Sequence, residues 1–191
     1  VGYVLWPRWP DAPVAIGAPA LPIVIAGAAF NIEPAAIRMP VQRHPGTQDR
    51  VDLAYVWPTL VPPDPAEKAA APGAPIEPIE RLFVTIEGTD GTMPPIERVE
   101  TIYPRYLVAE PVAGPAGLTL RGFRKDTPYA DEELAFESNA PQRFLARCSR
   151  HGVVGSGSCL LEKRIGEANL TFRFPRAWLE NWQQVAKGID T

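Results

Sequence analysis

Proline is the residue that most limits what this chain can form. The sequence contains 23 prolines among 191 residues, whereas the average use is about 5%. Proline lacks a backbone N–H and fixes φ, so it is confined largely to turns, helix starts and the margins of sheets. The spread of prolines therefore predicts a fold of short strands and short helices joined by extended connections.

The C-terminal quarter carries the most regular pattern. Apolar residues alternate on both sides of a Gly- and Ser-rich turn within residues 144–165, which predicts a β-hairpin, and residues 170–174 predict a half-buried strand. Pro175 suits the first turn of a helix, and Gly188 suits its C-terminal cap. Between them an apolar stripe with helical spacing predicts an amphipathic helix. The stripe consists of Trp178, Leu179, Trp182, Val185, Ala186 and Ile189.

Similar patterns predict further strands, with short helical segments between them. The strands are expected at 23–32, 51–57, 81–86, 117–123 and 134–136, and the helical segments at 34–38 and within 95–108. We therefore predict an α+β fold. It consists of an antiparallel, strongly curved or doubled β-sheet with short helices and a C-terminal amphipathic helix packed on it.

The first 20 residues differ from the rest. Residues 1–6 are apolar but far fewer than the roughly 20 needed to cross a bilayer. Trp6, Arg8 and Trp9 are typical of a membrane interface, and the prolines that follow favour an extended stalk. We interpret residues 1–20 as the end of a membrane anchor plus a stalk, with an ordinary N-terminal strand as the alternative. Residues 21–191 are predicted to form a single α+β domain.

Residues 58–79 hold seven prolines and three consecutive alanines. Such a composition cannot supply a core, so we expect a long exposed loop. Loops of this length are either disordered or functional, and the composition does not distinguish the two.

The two cysteines, Cys148 and Cys159, lie on opposite arms of the predicted hairpin. A disulfide between them would stabilise the fold by about 3 kcal/mol in the chain-entropy model. Disulfides persist in oxidising compartments, so the pairing would place the domain outside the cytosol. Two free buried thiols are the alternative.

Charge excludes some partners and suggests another. The formal net charge of −3 is too small to indicate a nucleic-acid or membrane-surface partner. Residues 62–100 are mainly acidic and residues 143–176 mainly basic. The two regions are either solvated faces that attract each other or, in the basic case, an arginine-rich recognition face.

No recognised catalytic or metal-binding motif is present. His44 and His151 lack a ligand partner at metal-binding spacing, and a zinc site built from His151 and the two cysteines would need a fourth ligand. Ser156 and Ser158 lie in a hairpin turn rather than at the strand-to-helix turn of a nucleophile elbow. The acidic run at 131–133 is expected to be solvated. We therefore predict no catalytic residue, no metal and no cofactor.

Tryptophan and arginine are enriched among residues that dominate protein–protein binding. The hairpin and the last helix carry both residue types. The candidate partner-binding residues are Arg147, Arg150, Lys163, Arg164 and Trp178.

The opening apolar segment and the last 45 or so residues, including Phe-Arg-Phe-Pro-Arg-Ala-Trp-Leu-Glu-Asn-Trp at 172–182, resemble a group of proteobacterial exported proteins tethered by a single membrane span. The resemblance implies periplasmic placement, anchored to the inner membrane, and implies no activity.

Together these features predict a non-enzymatic periplasmic domain that acts through contacts with a protein partner in the periplasm or inner membrane, with an immunity- or inhibitor-like role as one case. The alternatives are a cell-envelope hydrolase, whose site would include His44 or His151, and a small-molecule-binding domain with a pocket beneath the last helix.

Overall fold

The computed structural model describes residues 14, 17–64, 80–89, 91–150 and 157–190. Within these residues, eight strands form one antiparallel sheet and three form a smaller sheet. Two α-helices and several 3-10 turns complete the fold, which confirms the predicted α+β class. The elements are β1 (Leu21–Ile25), β2 (Ala28–Ile32), β3 (Gly46–Thr47), β4 (Arg50–Val56), β5 (Arg81–Gly88), α1 (Pro95–Thr101), β6 (Val112–Ala113), β7 (Thr119–Gly122), β8 (Glu132–Phe136), β9 (Leu145–Ser149), β10 (Ser158–Ile165), β11 (Ala168–Pro175) and α2 (Trp182–Ile189).

The large sheet has the strand order β4-β5-β11-β10-β9-β8-β7-β6. Consecutive strands from β6 to β11 are neighbours, as expected of a meander of hairpins. The exception is β5, which joins β11 across a long stretch of chain, with Val84 opposite Phe172. This pairing joins the β4–β5 pair to the meander at β11.

Alternation along the strands produces two distinct faces. In β11, Leu170, Phe172 and Phe174 are buried whereas Arg173 is exposed. Side chains in a strand point alternately to opposite sides, so every neighbouring strand in register repeats this division. We call the side that carries Phe172 and Phe174 the inner face, and the side that carries Arg173 the outer face.

The main core covers the inner face. Ile23 and Ile25 of the small sheet belong to the same buried cluster as Phe172, together with Leu179 and Val185 from the C-terminal segment. The small sheet has the order β2-β1-β3. It and the terminal helix thus form the second layer that an amphipathic sheet requires.

A second, smaller core lies on the outer face, at the end formed by β7 and β8. Its buried members are Tyr103, Leu107, Phe123 and Leu134. Val99 of α1 packs against this cluster. The large sheet is therefore covered on both faces at this end.

The C-terminal segment differs in one respect from the expected helix. Pro175 is the last residue of β11 rather than the first of a helix, and residues Arg176–Asn181 form a 3-10 turn before α2 begins at Trp182. The apolar spacing of Trp178, Leu179 and Trp182 suits a 3-10 turn as well as an α-helix, because both place residues three apart on one side.

Two predicted segments lie mainly outside the described residues. These are the anchor and stalk at 1–20, of which only residues 14 and 17–20 are described, and the 65–79 part of the proline-rich loop. The described start of that loop turns back on β4, where Val61 bridges to Val56. No helix in the described ranges is long and apolar enough to cross a membrane.

Candidate partner-binding surfaces

The predicted disulfide is present between Cys148 of β9 and Cys159 of β10. The two residues are directly opposite in register, and their Cα atoms are 4.0 Å apart. Both are buried on the inner face within the main core. The cross-link therefore joins two neighbouring strands, β9 and β10, within the main core.

Arg147 lies on the outer face, next to the second core. Its guanidinium donates to Glu132 at 2.7 Å and lies 5.1 Å from the ring centroid of Tyr129. It also lines a cavity of about 20 Å³ beneath α1, which has room for about one water molecule. Burial raises the pKa of Tyr103, another residue of this cavity. The cavity is too small for a substrate or carried ligand.

Arg150 binds the backbone of neighbouring segments through its side chain. Its guanidinium donates to the carbonyl oxygens of Phe123 and Glu132. These bonds hold the end of β9 against the chain on either side of the β7–β8 connection. The side chain adds to the backbone hydrogen bonds that continue the sheet here, from Phe123 N–H to the Glu132 carbonyl oxygen and from Arg150 N–H to the Asp131 carbonyl oxygen.

The remaining three predicted residues lie elsewhere. Lys163 pairs with Asp190 just after α2. Arg164 donates to the carbonyl oxygen of Thr92 at 2.7 Å. Trp178 stacks on Trp57 with ring centroids 4.5 Å apart, and it also stacks on Phe174.

The structure thus does not bring the five predicted residues together. Lys163 and Arg164 are consecutive in β10 and point to opposite faces. Each of the five makes contacts within the chain, which gives each of them a role in the fold. Their role in binding a partner stays a prediction.

An ion pair that the sequence did not reveal lies at the inner face. Arg176 donates to Glu133, and their side chains are only 10% and 13% exposed. Glu133 is directly opposite Cys148 in register, so its carboxylate points toward the core rather than toward solvent. The 131–133 run was expected to be solvated, and this expectation was wrong for Glu133. The signal for this placement is the position of Glu133 in the alternation of β8. That position becomes apparent only when β8 is paired with β9.

The other end of the outer face is open in the described part of the chain. It is formed by β4, β5 and β11, away from α1 and the second core. Phe83 of β5 lies opposite Arg173 of β11 and opposite Ala54 of β4. The guanidinium carbon of Arg38 lies 4.7 Å from the centroid of the Phe83 ring. Phe83 is thus a partly exposed aromatic residue between two exposed arginines, neither of which is among the five partner-binding residues predicted from the sequence.

A group of paired charges borders this open face. Arg50 forms ion pairs with Asp52 at 2.8 Å and with Glu87 at 3.3 Å. Hydrogen bonds from Arg50 lower the pKa of Asp52 to about 2, and those from Gln42 and Thr85 act in the same direction. Arg38 and Arg173 make no ion pair in the described part of the chain. The open face therefore carries two cationic side chains that no described carboxylate neutralises.

Metal-binding and catalytic groups are not clustered in the described ranges. No set of three or more His, Cys, Asp or Glu side chains there could hold a metal ion. His44 is exposed, and its Nδ1 lies 3.1 Å from the carbonyl oxygen of its neighbour Pro45. His151, Ser156 and the anchor-type residues Trp6, Arg8 and Trp9 lie outside the described residues.

Comparison with known proteins gives one informative likeness. No protein-family model matches the chain, and no curated protein matches it significantly. The chain is similar in structure to Smlt3025, an immunity protein of the Stenotrophomonas maltophilia type IV secretion system. The two align over 90% of each chain with a TM-score of 0.56 and 14% sequence identity. At this identity the likeness establishes a shared fold, and it covers nearly all of both chains.

Proposed function

We propose that this chain is an immunity protein, which protects its own cell by binding and neutralising a toxic effector delivered by a secretion system. The observation that carries the proposal is the likeness of its fold to Smlt3025 over 90% of both chains. Fold alone does not imply function, so the surface chemistry must agree.

The described side chains of the open outer face support action by contact with another protein. This face presents an aromatic ring, Phe83, between two exposed arginines, Arg38 and Arg173. Such residues are enriched among those that dominate protein–protein binding.

We propose further that the protein acts in the periplasm, tethered to the inner membrane through the segment that precedes residue 21. The buried disulfide between Cys148 and Cys159 supports an oxidising compartment. The apolar residues 1–6 and the interface-type residues Trp6, Arg8 and Trp9 support a tether. Fractionation of native cells, with alkylation of thiols before lysis, tests both points.

The proposed function is tested by competition between sibling strains. The gene is deleted in its host, and the deletion strain is grown in contact with its secretion-competent parent. We expect the deletion strain to lose viability, and we expect a plasmid carrying the full-length gene to restore it. A parent strain with an inactive secretion system is the matched control and should leave the deletion strain unharmed.

Equal survival of the deletion strain beside both parents would overturn the proposal. Killing that persists beside the secretion-deficient parent would also contradict it, because the protein would then counter a toxic activity that no secretion system delivers. A Cys148→Ala/Cys159→Ala gene tests the part that the disulfide plays in the same assay.

A further inference from the structure

We propose that the open outer face, defined by Arg38, Phe83 and Arg173 and extending over residues 39–42, is the docking surface for an acidic patch on the effector. This inference rests on the proposed function and adds to it the surface used and the chemistry of the partner. It places the contact on the opposite side of the sheet from the main core, at the end away from the second core.

The exposure of this face is unusual for its position in the sheet. β11 is the third of eight strands, flanked by β5 and β10 and therefore remote from either edge. Its inner-face residues belong to the main core, yet Arg173 is exposed in the C-terminal half of the strand. At the β7–β8 end, the same outer face is covered by α1 and the second core. A central strand thus stays accessible where a second layer is lacking in the described part of the chain.

The central group is suited to an anionic partner. Arg38 lies over the Phe83 ring. Arg173 of β11 is directly opposite Phe83 of β5. Directly opposite side chains have Cβ atoms about 5 Å apart, so both guanidinium groups can reach one carboxylate group or two adjacent ones. Arginine donates in a planar fork that matches carboxylate geometry. Stacking against Phe83 restricts the Arg38 side chain before binding.

The nearby charges leave these two arginines available. Arg50 is occupied by Asp52 and Glu87, whereas Arg38 and Arg173 have no acidic partner in the described residues. The carboxylates of Asp52 and Glu87 also limit what can bind beside them. A continuous polyanion such as a nucleic acid would meet these two acids and a net charge of −3, so a folded protein with a local acidic patch fits better.

The surface extends to an apolar margin. Three strands of seven or eight residues span only about 350 Å², against about 800 Å² per partner in a standard interface. The 3-10 turn Pro40–Gln42 lies beside β4, where Gln42 Oε1 accepts from the backbone N–H of Asp52. Met39 and Val41 in this segment are 49% and 58% exposed. They supply the apolar contact area that the sheet face lacks.

The test uses the full-length protein in its host and reads contact directly. A photo-reactive phenylalanine analogue is placed at Thr171, which lies on the outer face beside Thr85, and adducts formed during contact with the secretion-competent parent are identified by mass spectrometry. We expect an adduct with a secreted effector, joined through a segment rich in Asp and Glu. The double variant Arg38→Glu/Arg173→Glu should abolish the adduct. Arg105→Glu, an exposed arginine of the 3-10 turn Tyr103–Arg105, is the matched control and should preserve it.

Binding of the purified pair gives the magnitude. The double reversal should weaken binding roughly a hundredfold, about tenfold for each reversed charge, and Arg105→Glu should change it less than about twofold. Circular dichroism and thermal melting establish that each variant is folded. Reversing an acidic residue of the adduct segment to arginine should restore binding to the Arg173→Glu single variant.

Several results would overturn this surface. They are an adduct that survives the double reversal, an adduct through a segment without acidic residues, no adduct from Thr171, and binding of a fluorescent single-stranded DNA in place of a protein. The competition assay judges the proposed function separately. If the wild-type gene protects and the double variant protects equally well, the proposed function stands and this surface is wrong. If the wild-type gene fails to protect while the charge-dependent adduct forms, the surface stands and immunity is wrong.

Discussion

Removal of the Cys148–Cys159 disulfide should destabilise the protein by an amount that the structure allows us to calculate. The cysteines are 11 residues apart, so the cross-link closes a short loop in the unfolded chain. The chain-entropy model gives about 3 kcal/mol at 25 °C for a loop of this length. Cys148→Ala/Cys159→Ala also removes two buried sulfur atoms from the main core, which raises the expected loss to about 3 to 5 kcal/mol.

The assay compares three proteins by urea denaturation, followed through tryptophan fluorescence. They are the oxidised wild type, the reduced wild type and the double alanine variant. The reduced wild type keeps both sulfur atoms, so its difference from the oxidised protein reports the cross-link alone. Reduction should also raise the dependence of the unfolding free energy on urea, because the unfolded chain exposes more surface without the cross-link.

A difference below about 1 kcal/mol between the oxidised and reduced wild type would refute this reasoning. It would show that the hairpin is ordered by its strand pairing alone. The expected loss is large against a typical total of about 5 to 15 kcal/mol. If it is found, production in a reducing cytosol should lower the yield of folded protein, which connects the stability of the fold to its proposed location.

Three further predictions concern single side chains. Glu133→Gln should cost about 3 to 5 kcal/mol in chemical denaturation, because it leaves its buried arginine partner unpaired, whereas Asp126→Asn in an exposed pair should cost almost nothing. The pKa of Asp52 is lowered to about 2, so its carboxylate contributes stability above about pH 4 that is lost as the pH falls toward 2. Thermal melting at a series of pH values should therefore show a loss of about 1 kcal/mol in the wild type that is missing in Asp52→Asn. Trp182→Ala should destabilise by about 3 to 5 kcal/mol, and by more than Trp178→Ala, because Trp182 is buried and its indole N–H donates to a backbone carbonyl.

Side-chain periodicity made the strands predictable. Buried residues alternate with outward ones along β11 and along β5 from Arg81 to Ile86, and such alternation is visible in any half-buried strand before its partner is known. The hairpin of β9 and β10 was also predictable, because its arms are adjacent in sequence and each carries one cysteine. Local pattern was sufficient for both, since neither depends on a distant part of the chain.

Long-range pairing was not predictable in the same way. The paired residues of β5 and β11 lie 80 to 90 positions apart in the chain, and nothing in either strand identifies the other as its neighbour. The same limit applies to the candidate sites, because their residues become neighbours only through long-range pairing. Phe83 and Arg173 each read as an outward residue of an ordinary strand, and only the register between β5 and β11 places them side by side. The contact of Arg38 with Phe83 likewise requires the turn after β2 to lie along β4.

Counting charges located an excess of arginine in residues 143–176, and this region includes Arg173 of the open outer face. Charge totals, however, carry no information about which partner each side chain reaches. Arg147 and Glu132 come from neighbouring strands, and Arg98 reaches Glu162 from α1 at 2.6 Å. An arginine that already pairs with a carboxylate within the fold is less available to bind a second protein.

The distribution of these ion pairs indicates that the two ends of the outer face have different roles. At the covered end, Arg98 and Arg147 are both paired and partly buried, and their removal would disturb the packing of α1 on the sheet. At the open end, replacing Arg38 or Arg173 should cost the fold little stability, since neither has an acidic partner in the described residues. Charge that the fold does not use, held beside an aromatic ring on a rigid strand, is what recognition of an acidic partner requires. If both arginines can be reversed with no loss of stability and with loss of protection, their presence is explained by the partner rather than by the fold.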